Sequence, residues 1–385
     1  EKGEYSKRII KKKQSDDISY EKLELNQHGK NQSKEILLLF TRFDIEESFP
    51  YSIGYFLNEK EKLTPKQISA FCFFPTKEAT NLNFIIHAPF LLTDSRESVK
   101  RFEEHNTEMI ELLAQLSADS LSLLKELKLI DDDIIKIIPY KKPEEDDFFS
   151  PFYKAIKEKF ESEELLPTMN DYVLSENAYW AQDNSVLNLF SDHQLALLIE
   201  DEEAKWVFRG LVRNQTGKDE ELREYIDDCT IDYFDINDLL GYVNADFIEN
   251  QTEEWLHRFY EYLLKNNSYW SGVKTQPIFL NINGKAVPAY EKNGKEFHQI
   301  LFLPSENLNS SSKTIFPGLL KNDKSKEFIE NFGIKLASLK DEIYNHILPL
   351  YDEDSGIDTE EHFKLFFKYW IKEGRPDEFL DLLRV

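Results

Sequence analysis

The spacing of apolar side chains changes near Asp94, and that change constrains the fold more tightly than any other feature of the chain. Before it, short runs rich in Phe, Ile and Tyr alternate with turn residues: Ile36–Ile45, Tyr51–Leu57, Gln67–Phe74 and Asn81–Phe90. Runs of this length and composition read as four strands of an antiparallel or mixed sheet. Pro75 and Pro89 punctuate the last two, because proline cannot donate to a ladder. After Asp94, residues Phe102, Ile110, Leu112, Leu113, Leu116, Leu123, Leu124 and Leu127 recur at three- and four-residue steps among Glu and Lys. That pattern is an amphipathic helix, or two in series near Ser117–Ser120, with Thr93, Asp94 or Ser95 available as the N-cap. The expectation is an α+β fold in which an N-terminal mixed sheet leads into a long amphipathic helix, together spanning 35–130.

At 385 residues the chain exceeds the ~250–300 that a single core holds, so two or three units are expected. Residues 1–34 are polar and mixed in charge, and read as an arm. Asp131–Phe149 carries seven acids, three lysines and two prolines. It reads as an acidic linker at 131–149 around a short helix, Asp132–Ile138, with a domain border there. Residues 150–385 read as mainly helical. Trp255, Leu256, Phe259, Tyr260, Leu263 and Leu264 form one apolar stripe, capped by Thr252 with Glu253 and Glu254 in the first turn. Phe363, Phe366, Phe367 and Trp370 form another, stopped by Gly374 and Pro376. Between them, Asn283-Gly284 and Asn293-Gly294 are hairpin signals suited to the left-handed φ of type I′ turns, and predict a three-stranded β-meander at about 276–303.

Composition excludes several function classes. The net charge is −25, and its field repels phosphate backbones and anionic lipid, which argues against broad nucleic-acid or membrane-surface binding. The basic exception is Glu1–Lys13, with six Lys/Arg against two Glu. No apolar run reaches the length needed to span a bilayer. Cys72 and Cys229 are the only cysteines, which is no disulfide framework and predicts a reducing, cytoplasmic setting. The chain does not open with Met and reads as a piece of a longer protein.

Chemistry-bearing motifs are sparse. The eight histidines are never closer than sixteen residues, so no pair shares a helical face, and no metal is expected. There is no GxSxG elbow, and Cys72 lies in an apolar run that suits an inert thiol. Neither GxxxxGK[ST] nor GxGxxG occurs. Asp354-Ser355-Gly356-Ile357-Asp358 lacks the second glycine of a DxGxG motif and reads as a loop. One stretch carries more: in Phe84–Val99 an apolar strand runs out through His87 and Pro89 to a polar turn and a predicted helix start holding Arg96. A cation gains nothing from the dipole at a helix start, but a guanidinium and free N–H groups can jointly meet an anion. The alternative is an arginine paired with Glu97, Glu103 or Glu104.

With Phe73-Phe74-Pro75-Thr76 leading to Thr93-Asp94-Ser95-Arg96, this region resembles the segment that follows the ATP-binding module in sacsin and its bacterial relatives. Those belong to the superfamily of gyrase, the ninety-kilodalton heat-shock chaperone, histidine kinases and MutL. Ser95-Arg96-Glu97 is similar to the chaperone's middle-domain loop, whose arginine reaches the γ-phosphate of ATP held by the preceding domain. The chaperone's glutamine four residues further on is Lys100 here. Trp255–Leu264, the stretch Pro277–Tyr290 and Asn331-Phe332-Gly333-Ile334 also resemble these proteins, so the likeness covers roughly 35–350. It implies a downstream portion of a chaperone-type ATPase that couples nucleotide state to conformational change. Arg96 would be the catalytic residue, with Ser95, Arg96 and Lys100 at the nucleotide. ATP and magnesium would belong to the intact protein only, held by an upstream domain, with protein clients as partners and an oligomer left open. The family's adenine aspartate and glycine-rich lid are not readable in this chain. The contrasting expectation is a non-catalytic scaffold whose helical half docks protein partners of basic charge.

Overall fold

The computed structural model describes residues 4–15, 18–28, 33–42, 50–144, 146–304, 313–348 and 359–372. Residues 43–45, the loop Asp354–Asp358 and the helix stop at Gly374 and Pro376 lie outside these. The fold is α+β, and the chain divides into two compact units, one ending at Asp235 and the other starting at Ile236.

The first unit opens with a mixed sheet. Its strands are β1 (Glu4–Ser15), β2 (Ile18–His28), β3 (Ser33–Arg42), β4 (Tyr51–Leu57), β5 (Leu63–Thr64), β6 (Ser69–Cys72), β7 (Phe74–Ala79) and β8 (Ile85–His87). The order is β1-β2-β3-β4-β8-β6-β7, with β5 on β4, and the single parallel pairing joins β6 to β8 through Phe71 and His87. The polar arm expected over 1–34 is thus corrected, since β1 and β2 extend the sheet. They pair antiparallel from Glu4 with His28 to Ser15 with Ile18, a pairing that apolar patterning alone does not reveal.

One face of the sheet is covered by α1 (Glu104–Glu126) and α2 (Ser150–Ser162), which pack on each other. Phe40, Tyr55, Phe84, Leu113, Leu116, Leu124, Phe152 and Phe160 are among the buried side chains of this core. Of the two alternatives, one helix or two in series near Ser117–Ser120, the single helix forms. Ser117 and Ser120 donate to the carbonyls of Ala114 and Ser117, both at 2.7 Å, so the buried hydroxyls are satisfied inside one continuous helix. The N-cap is Glu103, not Thr93, Asp94 or Ser95, and Phe102 is fully exposed ahead of it.

The acidic stretch 131–149 falls inside this unit. Ile134, Ile135, Ile137, Ile138 and Phe149 are buried in the same core as Phe84 and Phe152, whose ring centroids lie 5.9 Å apart. The acids stay outside while the isoleucines between them go in, so charge counting alone misplaces the boundary. Asp131 caps a 3₁₀ turn over Asp132–Lys136 by accepting from the Asp133 N–H at 3.0 Å. Beyond α2, three short parallel strands, Lys205–Val207, Ala178–Ala181 and Asp232–Phe234, make a second small sheet that the helical expectation for 150–385 did not contain. At three or four residues each they are too short to show a period.

In the second unit the helix Glu253–Lys265 forms as its stripe predicts, with the Thr252 hydroxyl accepting from the Trp255 N–H at 3.2 Å. The three-stranded meander does not. Phe279–Leu280 pairs with Ala286–Val287, and Tyr290–Asn293 separately with Glu296–Gln299. Pro288, without an N–H to donate, splits the strand expected over Ala286–Tyr290. Gly294 is left-handed at φ 62° and takes the first central position between the paired Asn293 and Glu296, as a type II′ turn requires. Among the described residues no helix is long and apolar enough to cross a membrane.

Candidate functional site

Because β6 and β8 run parallel, the segments that follow them emerge at one end of the sheet. Cys72–Thr76 and Phe90–Asp94, together with Arg96, line an open cleft of about 530 Å³. The two motifs that carry the family resemblance, separated in sequence, therefore meet. Thr76 holds the first, donating to the Ala70 carbonyl at 2.7 Å and accepting from the Glu78 N–H at 3.1 Å. Phe73 and Phe74 are left 64% and 79% exposed on the rim, too open for core packing.

Arg96 is not in a helix start, as the sequence predicts, but at the tip of a turn between Leu92 and Val99, which form an isolated antiparallel bridge. The Arg96 N–H donates to the Thr93 carbonyl at 2.8 Å, and the Thr93 N–H to the Ser98 carbonyl at 2.9 Å. Residues 93–99 are spent on this turn, so α1 cannot begin before it closes. Arg96 has φ 58°. A side chain with a Cβ pays about 1–2 kcal/mol for that left-handed conformation, which glycine adopts freely. Strain retained at an exposed residue points to a use for its side chain. The guanidinium is exposed and has no ion-pair or hydrogen-bond partner among the described residues. Glu97 pairs instead with Lys77, so the pairing of Arg96 with Glu97, Glu103 or Glu104 is not adopted. The N–H groups of Asp94, Ser95 and Glu97 are likewise unpaired among the described residues.

Two side chains and one backbone hydrogen bond hold the turn, and sequence reading missed all three. Asn106, fully buried in the first turn of α1, accepts from the Leu91 N–H at 2.8 Å and donates to the Leu91 and Lys100 carbonyls at 2.8 and 2.9 Å. It thus clamps both ends of the Arg96 turn. Its one signal was a polar residue at the four-residue step between Phe102 and Ile110. The Glu78 carboxylate, also buried, accepts from the Val99 N–H at 3.1 Å and from Arg101 Nε and Nη2 at 3.0 and 2.6 Å. The Lys77 N–H donates to the Glu97 carbonyl at 2.7 Å.

Of the other predicted site residues, Ser95 shares a 3.2 Å hydroxyl contact with Thr93 in the turn, and Lys100 lies past its closing bridge, its side chain without a partner among the described residues. Neither lines the cleft. Cys72 does, but its thiol donates to the Phe90 carbonyl at 3.3 Å and burial raises its pKa, as for an inert thiol.

A larger cleft of about 940 Å³ lies elsewhere in the first unit, and most of its charges are committed, the exposed Lys128 excepted. Lys125 donates to the Glu164 carbonyl, Arg209 and Asp131 pair with Asp192 and Lys62, and Asp132 accepts from the Gly210 N–H at 2.7 Å. An uncommitted guanidinium makes the smaller cleft the better candidate. Among the described residues no three His, Cys, Asp or Glu side chains are placed to hold a metal ion. No family model, curated protein or solved structure matches this chain.

Proposed function

We propose that this chain is the coupling portion of a larger sacsin-like, chaperone-type protein, and that Arg96 is its contact with nucleotide. The carrying observation is an exposed guanidinium that has no partner among the described residues, carried by a left-handed Arg96 on a turn clamped at both ends by Asn106. In the intact protein an upstream domain holds ATP and magnesium. Arg96 meets the negative charge that develops on the γ-phosphoryl oxygens as the bond to the leaving diphosphate breaks. A planar, permanently charged fork on a fixed turn suits that task, because it needs little reorganisation at the moment of reaction. The chain alone has no adenine-reading group and no phosphate loop, so it binds ATP only as part of the intact protein, which acts on protein clients.

In the intact protein Arg96→Ala is expected to reduce steady-state hydrolysis by about a hundredfold or more, with nucleotide affinity changed far less. Unaltered turnover would remove the proposal. Calorimetry of the isolated chain with ATP and magnesium should detect no binding, and micromolar affinity would count equally against it.

A second reading rests on the exposed Phe73, Phe74, Leu91 and Phe102 near the same turn. Exposed aromatics beside a free arginine are the composition of a protein-docking patch. Loss of client binding in Phe73→Ser/Phe74→Ser, with hydrolysis untouched by Arg96→Ala, would favour that scaffold.

A further inference from the structure

The Phe73 turn is held by a titratable group. Phe73 adopts φ 60°, a strained conformation for an aromatic residue, immediately after β6. Its N–H donates to His87 Nε2 at 3.3 Å, and its ring meets the imidazole edge-on with centroids 5.7 Å apart. Nε2 can accept that bond only while it carries no proton, so the proton of the neutral ring sits on Nδ1. We infer that His87 is a proton-operated latch on the Phe73-Phe74 rim of the Arg96 cleft: neutral imidazole holds the turn, and protonation at Nε2 releases it.

Protonation removes the acceptor and sets a donor against the Phe73 N–H, so the bond becomes a repulsive contact. The strain at Phe73 then favours leaving the left-handed conformation. The surroundings keep the trigger clean. His87 lies between Ser52 of β4 and Phe71 of β6, neither of which titrates near neutrality. The neighbouring Cys72 thiol is held neutral by burial. His105, from α1, approaches the chain two residues further on, with Nε2 3.1 Å from the Pro89 carbonyl. Asp94 and Arg96 line the same cleft as Phe73, and neither shifts His87. Burial lowers the His87 pKa, against an opposing hydrogen bond with its own backbone, so the latch stays closed at neutral pH and opens on the acid side of the ordinary histidine range. This device does not depend on what the cleft binds, and it survives if the nucleotide proposal fails.

The test follows two signals in the isolated chain from pH 7.5 to 4.5: the His87 imidazole resonance and the hydrogen-exchange protection of the Phe73 amide, corrected for intrinsic exchange. Protection is expected to fall about tenfold, the size of one lost hydrogen bond, with the midpoint at which His87 itself titrates. His87→Gln should abolish that step, and His105→Gln should leave it in place. Protection that stays flat while His87 titrates in the unaltered chain overturns the latch, as does a step that persists in His87→Gln. The comparison within the unaltered chain decides the matter even if His87→Gln fails to fold.

Discussion

Arg96 occupies a conformation that penalises it, and the penalty separates its two conceivable roles. Arg96→Gly removes about 1–2 kcal/mol of left-handed strain and gives back about 0.5–1 kcal/mol in backbone entropy. Thermal unfolding of the isolated chain should therefore show a stability gain of about 0.5 kcal/mol. Hydrolysis by the intact protein should fall as far as with Arg96→Ala. A stability loss would mean the guanidinium has a structural partner. Asn106 works in the opposite sense. Asn106→Leu leaves the part-buried Leu91 N–H without its acceptor and strips a donor from two carbonyls, which should destabilise by roughly 2–3 kcal/mol in urea titration. Asn106→Asp keeps the acceptor but turns a carboxylate oxygen toward those carbonyls, and should recover little of the loss.

At the scale of elements, the helix Glu220–Asp228 ends on Cys229, whose thiol burial pushes up to about 12. At pH 8 only about one molecule in ten thousand then carries the thiolate, so alkylation of Cys229 should track global unfolding while the half-buried Cys72 reacts sooner. The sign of the linkage follows. A thiol whose folded pKa lies above its ordinary value of 9.0 favours the folded state below pH 9, and that contribution is lost as pH rises from 9 toward 12. Denaturation midpoints measured across that window should fall, and Cys229→Ala should reduce the fall, with the buried Tyr55, Tyr225 and Tyr260, whose pKa burial also raises, contributing the rest. In the second unit the hairpin Tyr290–Gln299 depends on Gly294. Gly294→Ala should weaken it by about 1 kcal/mol through φ alone, since no atom lies within 4 Å of the added Cβ.

For the molecule as a whole, the division after Asp235 has a practical consequence. The buried core of the first unit draws on residues from Ile18 to Cys229, including both sides of the acidic stretch. A fragment ending at Asp235 should be soluble and unfold cooperatively on its own. A fragment ending at Tyr140 should not, because it strips Phe152, Ile156 and Phe160 from beneath the sheet. Dispersed amide spectra and a urea transition for each fragment check this, and a well-folded 1–140 would restore the boundary that charge patterning suggested.

Local pattern was enough for the elements whose own residues satisfy them. The strand Tyr51–Leu57, the body of α1 and the Thr252-capped helix were legible because a short apolar run, a three-to-four-residue stripe and a side-chain cap are each written within a few neighbouring positions. Arg96 stood out in the sequence as an anion-binding candidate, but its setting was not legible. A left-handed φ is set by closing a turn between Leu92 and Val99, and the residues that hold it, Asn106 and Glu78, lie outside the turn. The hairpin β1–β2 escaped notice because its sequence is polar and mixed in charge, and the unit boundary because isoleucines hidden between acids carry the core across the stretch that looked like a linker. The meeting of the Phe73 turn with Arg96 belongs to tertiary structure alone, because it depends on β6 and β8 lying parallel, a pairing that no local spacing encodes.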